Sequence, residues 1–299
     1  MREEVLYLDV EDARLQILAA VAPLAAEQAP LLEALGRTLA EPVAALEPIP
    51  PFDNTAMDGY ALRAADVAAA SPDHPVTMRV PAELPAGSVA AEPLHPQTAI
   101  RIMTGAPIPP GADAIVPFEE TDEGQGTRDR DGQVQVYRAA RPGDHIRRAG
   151  EDVRRDEVVL EAGTLLRPSE IGLLAALGHA SVQVHRRPRV AVLATGDELV
   201  DIGQPLAPGK IRNANSYSNA AQVLKYGGDP IVLPIARDTA ADITSRIEEG
   251  LQRGADLFLT SGGVSLGDYD LVKRVLHDLG HIDFWQVRMQ PGKPMAFGH

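Results

Sequence analysis

From Arg189 onward, apolar runs alternate with helix-patterned stretches, and that alternation leaves little choice of architecture. Arg189 to Ala194, Ile231 to Ile235, Asp256 to Thr260 and Ile282 to Val287 read as strands. Ser216 to Tyr226, Thr239 to Leu251 and Tyr269 to Leu279 read as the helices between them. Strands that are apolar throughout, rather than on alternate residues, belong to a parallel sheet covered on both faces by its crossover helices. The expected result is a three-layer α/β domain with a mostly parallel sheet of four strands.

Upstream the texture differs. Leu8 to Ala22 places Ala13, Ile17 and Val21 at helical spacing behind acidic Asp9, Glu11 and Asp12, which predicts a helix over about residues 10–22. A second apolar-periodic stretch, Leu31 to Leu39, stops before Pro42 and also reads as helix. Between Pro48 and Asp144, Pro and Gly are frequent and short β-favouring runs replace helical periodicity, so an all-β domain is expected. Its strands are Val76 to Val80, Ala99 to Met103, Ala114 to Phe118 and Val134 to Tyr137, with Glu119 to Gly132 as a mobile hairpin loop. Pro168 to Leu177 predicts one more helix, stopped by Gly178.

Composition removes several functions. With 28 Lys plus Arg against 42 Asp plus Glu, the 299-residue chain carries −14 at neutral pH, which disfavours nucleic acid and anionic membranes as partners. The absence of cysteine excludes disulfides, thiolate zinc, iron–sulfur clusters and a cysteine nucleophile, so any metal must sit on oxygen or imidazole. The eight His show no H-E-x-x-H spacing, and no G-x-S-x-G elbow occurs. The acidic N-terminus leads into no signal-like segment and no run of ~18 apolar residues exists, so a cytoplasmic location is expected.

In an open α/β sheet, ligands sit beyond the carboxyl ends of the strands. The four predicted strands end in Thr195-Gly196-Asp197-Glu198, in Arg237-Asp238, in Ser261-Gly262-Gly263-Val264-Ser265-Leu266-Gly267-Asp268-Tyr269-Asp270, and in Gln290-Pro291-Gly292-Lys293-Pro294. The Ser261-Gly262-Gly263 turn suits a phosphate, because two residues without Cβ let backbone amides approach an anion. It serves equally as a plain strand-to-helix turn. Each of Asp197, Glu198, Asp238, Asp268 and Asp270 alone reads as a turn or helix cap. Their convergence beside an anion calls for a divalent cation, and oxygen ligands favour Mg²⁺. Lys293, on a turn constrained by Pro294, is a point charge for a phosphate or oxyanion, or else a solvated surface lysine.

Six ordered stretches carry a resemblance: PPFDNTAMDGYAL (50–62), RIMTGAPIPPGADAIVP (101–117), AGEDV (149–153), ATGDEL (194–199), TSGGVSLGDYD (260–270) and PGKPMAFG (291–298). Together they resemble the molybdopterin molybdenumtransferases, the MoeA and gephyrin E-domain proteins. The resemblance implies insertion of molybdate into adenylylated molybdopterin with release of AMP, assisted by Mg²⁺, in molybdenum cofactor synthesis. It implies that Thr195, Gly196, Asp197, Ser261, Gly262, Gly263 and Ser265 bind the pterin substrate and its phosphate, and that Lys293 and Pro294 line the molybdate pocket. Asp238, Asp268 and Asp270 would hold metal. Glu198, Asp238 and Asp270 would act on the phosphoanhydride, with Asp152 a further functional acid. Asp58 and Thr104 would reach the site from the second subunit of a homodimer. A molybdopterin adenylyltransferase would supply the substrate.

The implied division is a discontinuous linker and dimerisation domain (1–50 and 145–186), an inserted β domain (51–144) and an α/β molybdopterin-binding domain (187–299), a multidomain α+β chain. The family's C-terminal β-barrel domain is missing from these residues, which implies a fragment. Gln290 stands where many relatives have lysine, which removes one positive charge near the oxyanion pocket. Two other readings compete. The α/β domain alone also resembles molybdopterin adenylyltransferases, against which the MDGYA and RIMTGAP stretches weigh, and a non-catalytic molybdopterin-binding or scaffold module is the third.

Overall fold

The computed structural model describes residues 6–126, 132–262, 275, 278, 280, 282–290 and 293–298. In chain order the elements are β1 (Leu6–Leu8), α1 (Val10–Ala20), β2 (Ala26–Pro30), β3 (Val43–Ala44), β4 (Asn54–Thr55), β5 (Gly59–Leu62), β6 (Val76–Leu84), β7 (Thr98–Ile102), β8 (Ala114–Pro117), β9 (Gln133–Val136), β10 (Ile146–Arg147) and β11 (Val158–Leu160). There follow α2 (Pro168–Ala176), β12 (Ser181–His185), β13 (Arg189–Ala194), β14 (Leu199–Val200), β15 (Ile211–Arg212), α3 (Ala214–Lys225), β16 (Asp229–Val232), α4 (Ala240–Gln252), β17 (Leu257–Ser261), β18 (Ile282–Val287) and β19 (Pro294–Gly298). They fall into two compact units, one of residues 1–40, 165–167 and 181–299, the other of residues 41–164 and 168–180.

In the first unit β13 is the centre of a parallel sheet ordered β16-β13-β17, with Val190 opposite both Pro230 and Leu257. Residues 190–194 are all buried, which is why the sequence there is apolar without alternation. Ala191, Leu193, Ile231, Leu233 and Ala236 pack with Ile243 and Ile247 of α4 and with Val275. Gly250 lets α4 close on the sheet, since a Cβ there would stand 2.6 Å from the Phe258 ring. Both helices start on side-chain caps: Asn213 accepts from the Ser216 amide and Thr239 from the Asp242 amide.

The fourth predicted strand is present but placed differently. β18 lies in a separate sheet, ordered β1-β18-β19, parallel to β1 and antiparallel to β19. The physical reason is a long-range apolar contact: Trp285 and Val287 bury with Leu8 and Ala13, and the Trp285 and Phe297 rings lie 5.6 Å apart. The helix expected over Tyr269 to Leu279 lies mostly outside the described residues, Val275 and Asp278 being helical. The helix expected at Leu31 to Leu39 is only a 3₁₀ turn, Leu31–Ala34. Gly36 turns the chain with φ +74° and gives its N–H to the Leu166 carbonyl, while the largely buried Arg37 side chain donates to the carbonyl of His185.

The second unit is built on a five-stranded mixed sheet, β8-β5-β7-β6-β9, in which only β6 and β7 run parallel. Both faces are covered. Tyr60, Leu62, Met78, Ala99, Val116 and Val134 pack on one side, and Ala61, Leu84, Ile100, Ile102 and Ile115 on the other. The stretch expected as a hairpin loop instead forms 3₁₀ turns at Phe118–Glu120 and Glu123–Gln125. Glu123 is anchored: its carboxylate accepts from Tyr60 Oη at 2.7 Å and from two nitrogens of Arg101 at 2.6 and 3.1 Å, while Arg101 stacks on Phe118 at 4.4 Å. Residues 127–131 lie outside the described residues.

Candidate functional site at the strand ends of the parallel sheet

Where β13, β16 and β17 end, three loops meet through their backbones. The Thr195 amide donates to the Ser261 carbonyl at 3.3 Å and the Gly196 amide to the Ala236 carbonyl at 3.2 Å. Gly262, at φ +100°, lies against Thr195 so closely that a Cβ would stand 2.9 Å from Thr195 Oγ1 and 3.0 Å from its carbonyl oxygen. The approach needs glycine twice over, for the dihedral and for the space. Thr195 is buried, whereas Asp197, Asp238 and Gly262 are exposed, so the loops form an open edge on a fixed base.

Carboxylates gather at the Gly196-Asp197 peptide. Asp238 Oδ2 accepts from the Asp197 amide at 3.3 Å. The Glu198 carboxylate folds onto Gly196, filling the space a Cβ would need, and Gly196 takes φ +147°. Lys210, reached through the turn that follows β14, donates from Nζ to the Asp197 carbonyl, and the Ile211 amide donates to the Glu198 carbonyl at 2.9 Å. Sequence reasoning missed Lys210. Its signal was present, because Pro208-Gly209-Lys210 places one of only four lysines behind a turn, as Pro291-Gly292-Lys293 does.

The edge therefore unites Thr195, Gly196, Asp197, Glu198, Asp238, Ser261 and Gly262 of the expected residues. Gly263, Ser265, Asp268 and Asp270 lie outside the described residues. Lys293 and Pro294 are on the other sheet of this unit. The Lys293 carbonyl accepts from the Val287 amide at 2.8 Å, its Nζ lies 5.6 Å above the Tyr7 ring, and Pro294 pairs with Gln286. No hydrogen bond among the described residues joins them to the strand-end group. Oxygen donors such as Glu198 and Asp238 suit Mg²⁺. Among the described residues, however, no group of three or more acids or histidines is arranged to hold a metal.

The second unit brings three of the sequence stretches together. β4 pairs with β10, Asn54 bridges Pro107, and the Gly105 amide donates to the Thr55 carbonyl at 3.0 Å. Asp58, just before β5, faces the turn after β7 because Gly59 pairs with Ile102. Its Oδ1 accepts from the Thr104 amide at 2.6 Å and from Thr104 Oγ1 at 2.7 Å. These bonds, with the Arg101 charge, hold the Asp58 carboxyl below its ordinary range, the backbone amide contributing most. Asp152 is paired with Arg147, and neighbouring Arg148 with Asp53 at 2.6 Å.

Two family models match: residues 8–178 correspond to the "MoeA N-terminal region (domain I and II)" and residues 191–299 to a "probable molybdopterin binding domain". Molybdopterin molybdenumtransferase 2 of Mycobacterium tuberculosis is 43% identical over 275 residues, 90% of this chain and 66% of that protein. The molybdopterin molybdenumtransferase of Haemophilus influenzae is 39% identical over 292 residues, 97% and 70% respectively. The chain thus spans about two thirds of the length of these curated relatives. The solved structure of a molybdopterin biosynthesis moeA protein from Pyrococcus horikoshii OT3 superposes with a TM-score of 0.82 at 33% identity, covering 99% of this chain and 72% of that one. By the extent of these matches, over both halves of its length and with mixed sheets and α/β content in common, this chain belongs to the MoeA family of molybdopterin molybdenumtransferases.

Proposed function

We infer that this chain inserts molybdate into adenylylated molybdopterin with release of AMP, as a step of molybdenum cofactor synthesis. The observation that carries the reading is the convergence of Thr195-Gly196, Asp238 and Ser261-Gly262 at one sheet edge, beside the exposed carboxylates of Asp197, Glu198 and Asp238. Ser261 and Gly262, with Gly263 and Ser265, bind the molybdopterin phosphate through amides and hydroxyls. Asp238 and Glu198 fit a hard cation by donor chemistry, and with Asp268 and Asp270 they would hold Mg²⁺. When bound, Mg²⁺ would polarise the phosphoanhydride and stabilise departing AMP. Asp238 and Asp270 orient water for attack on phosphorus, and Lys293 and Pro294 line the molybdate pocket.

Asp58 and Thr104 act from a second copy of the chain in a homodimer, and Asp152 is a further functional acid. The protein works in the cytoplasm and receives its substrate from a molybdopterin adenylyltransferase. No helix among the described residues is long and apolar enough to cross a membrane. The β-rich second unit and its MoeA N-terminal match favour this reading over adenylyl transfer.

The test is AMP release from adenylylated molybdopterin, with and without molybdate and Mg²⁺, by this chain and by a version extended to the relatives' length. Molybdate-dependent release from either supports the reading. Binding without release from both makes the chain a non-catalytic pterin-binding module.

A further inference from the structure

Asp58 is held at both ends. Its carboxylate accepts from the Thr104 amide and hydroxyl, in the turn after β7, while its carbonyl accepts from the Phe118 amide at 3.2 Å, in the segment after β8. β7 and β8 are not neighbours, because β5 lies between them in the sheet. The ladder therefore does not tie the Thr104 turn to the Phe118 segment directly, and any such tie must come from side chains. Arg101 supplies it. It stands three residues before Thr104 on β7, and its guanidinium lies 4.4 Å above the Phe118 ring. Tyr60, opposite Arg101 in the ladder, closes the group with its ring edge-on to Phe118 at 5.5 Å.

The guanidinium is braced from three directions and is only 14% exposed. Nη1 donates to Glu83 of β6 at 2.6 Å and lies 4.0 Å from Met103 Sδ, next to Thr104. Nε and Nη2 donate to Glu123, which also accepts from Tyr60 Oη. Burial, and then Glu123, push the Tyr60 phenol up, so it stays a neutral donor. Arg101 is also the one charge among the described residues that bears on the Asp58 carboxyl, and it lowers it. A lysine could pair with one of these acids. Only a planar fork lies flat on a ring while its edge donates to two carboxylates.

We propose that Arg101 is a positioning residue: stacked on Phe118 and braced by Glu83 and Glu123, it locks the Thr104 turn to the Phe118 segment and so fixes the direction of the Asp58 carboxylate. Its importance for turnover rests on the proposed reaction, in which Asp58 acts, whereas its hold on Asp58 is measurable without that reaction.

The experiment compares wild type with Arg101→Lys, which keeps the charge and removes the fork. In the 299-residue chain, amide hydrogen exchange at Thr104 and Phe118 becomes about tenfold faster or more in the variant, with β13 unchanged. The Asp58 carboxyl, followed by carbon-13 NMR and assigned by its loss in Asp58→Asn, titrates at higher pH in the variant although the charge is kept. Unchanged exchange together with an unmoved titration overturns the proposal. Where wild type releases AMP from adenylylated molybdopterin, Arg101→Lys lowers kcat about tenfold or more, leaves KM within about twofold and moves the acid limb upward. An unchanged kcat and limb there overturn it too. If wild type releases no AMP, the proposed reaction fails, and exchange and titration alone decide the positioning role. Should Arg101→Lys lose its far-ultraviolet circular dichroism, Phe118→Leu, which removes the ring and leaves the ion pairs, takes its place with the same outcomes.

Discussion

Asp58 and Thr104 are 46 residues apart in sequence, yet two hydrogen bonds from one threonine converge on one carboxylate oxygen. Their pairing was legible only through the shared sequence stretches, because composition reads those stretches as a turn and a strand end. The register of β5 against β7 supplies the physical cause. Asp58 is depressed, so it stays ionised through neutral pH and is neutralised only below the ordinary carboxylate value of 3.8. If ionised Asp58 is needed for turnover, Thr104→Val, which deletes the hydroxyl donor and leaves the amide, moves the acid limb of the pH–rate profile upward. An unmoved limb removes Asp58 from that limb. Lys210 shares a Pro-Gly-Lys pattern with Lys293 in the sequence, but its contact with Asp197 depends on how the 199–212 segment folds back.

The strand-and-helix alternation gave β13 to the residue and placed α3, α4, β16 and β17 within two or three residues. Local pattern succeeds there because both faces of the sheet are buried. It missed β2, whose partner β12 is some 150 residues away and in which only Ala29 is buried, so no apolar alternation marks the strand. It failed for β18's partners too, since a strand's pattern says it pairs and not with what.

Two element-level anchors are testable. Asp256 receives the Arg186 guanidinium on both oxygens at 2.5 and 2.7 Å, along with the Arg189 amide, and its carboxyl is lowered from 3.8 to about 2, the Arg186 bonds contributing most. A depressed carboxyl adds stability above its unfolded value, lost as pH falls from 3.8 towards about 2. Urea unfolding should show Asp256→Asn costing about 1 kcal/mol near neutrality, discounted for solvent screening, with the difference vanishing below that window. In the other unit, Glu123→Ala strands the Tyr60 hydroxyl and part of the Arg101 charge. A loss of about 3 kcal/mol is expected in the same measurement, and a change under 0.5 kcal/mol, of the order of an ordinary surface substitution, would show that the triad does not hold the 3₁₀ turns.

At the scale of the molecule, a chain of net charge −14 is proposed to bind a phosphorylated substrate, so local donors must outweigh the overall field. This makes binding to the strand-end edge sensitive to geometry at single residues and weakly responsive to net charge. The homodimer is tested by sedimentation equilibrium, where a mass of twice 31.9 kDa is expected and a monomer at tens of micromolar protein would leave Asp58 and Thr104 with no second copy to act on. The family was legible from six sequence stretches, whereas the closeness of Gly262 to Thr195 required coordinates. That contact offers the most direct test of the strand-end site: titration of adenylylated molybdopterin into the wild-type chain and into Gly262→Ala, with circular dichroism confirming the fold of both. The account predicts binding by the wild type and at least tenfold weaker binding by the variant, whose methyl group would displace the Ser261-Gly262 turn from Thr195. Equal affinity in the two would contradict it and place the pterin phosphate elsewhere.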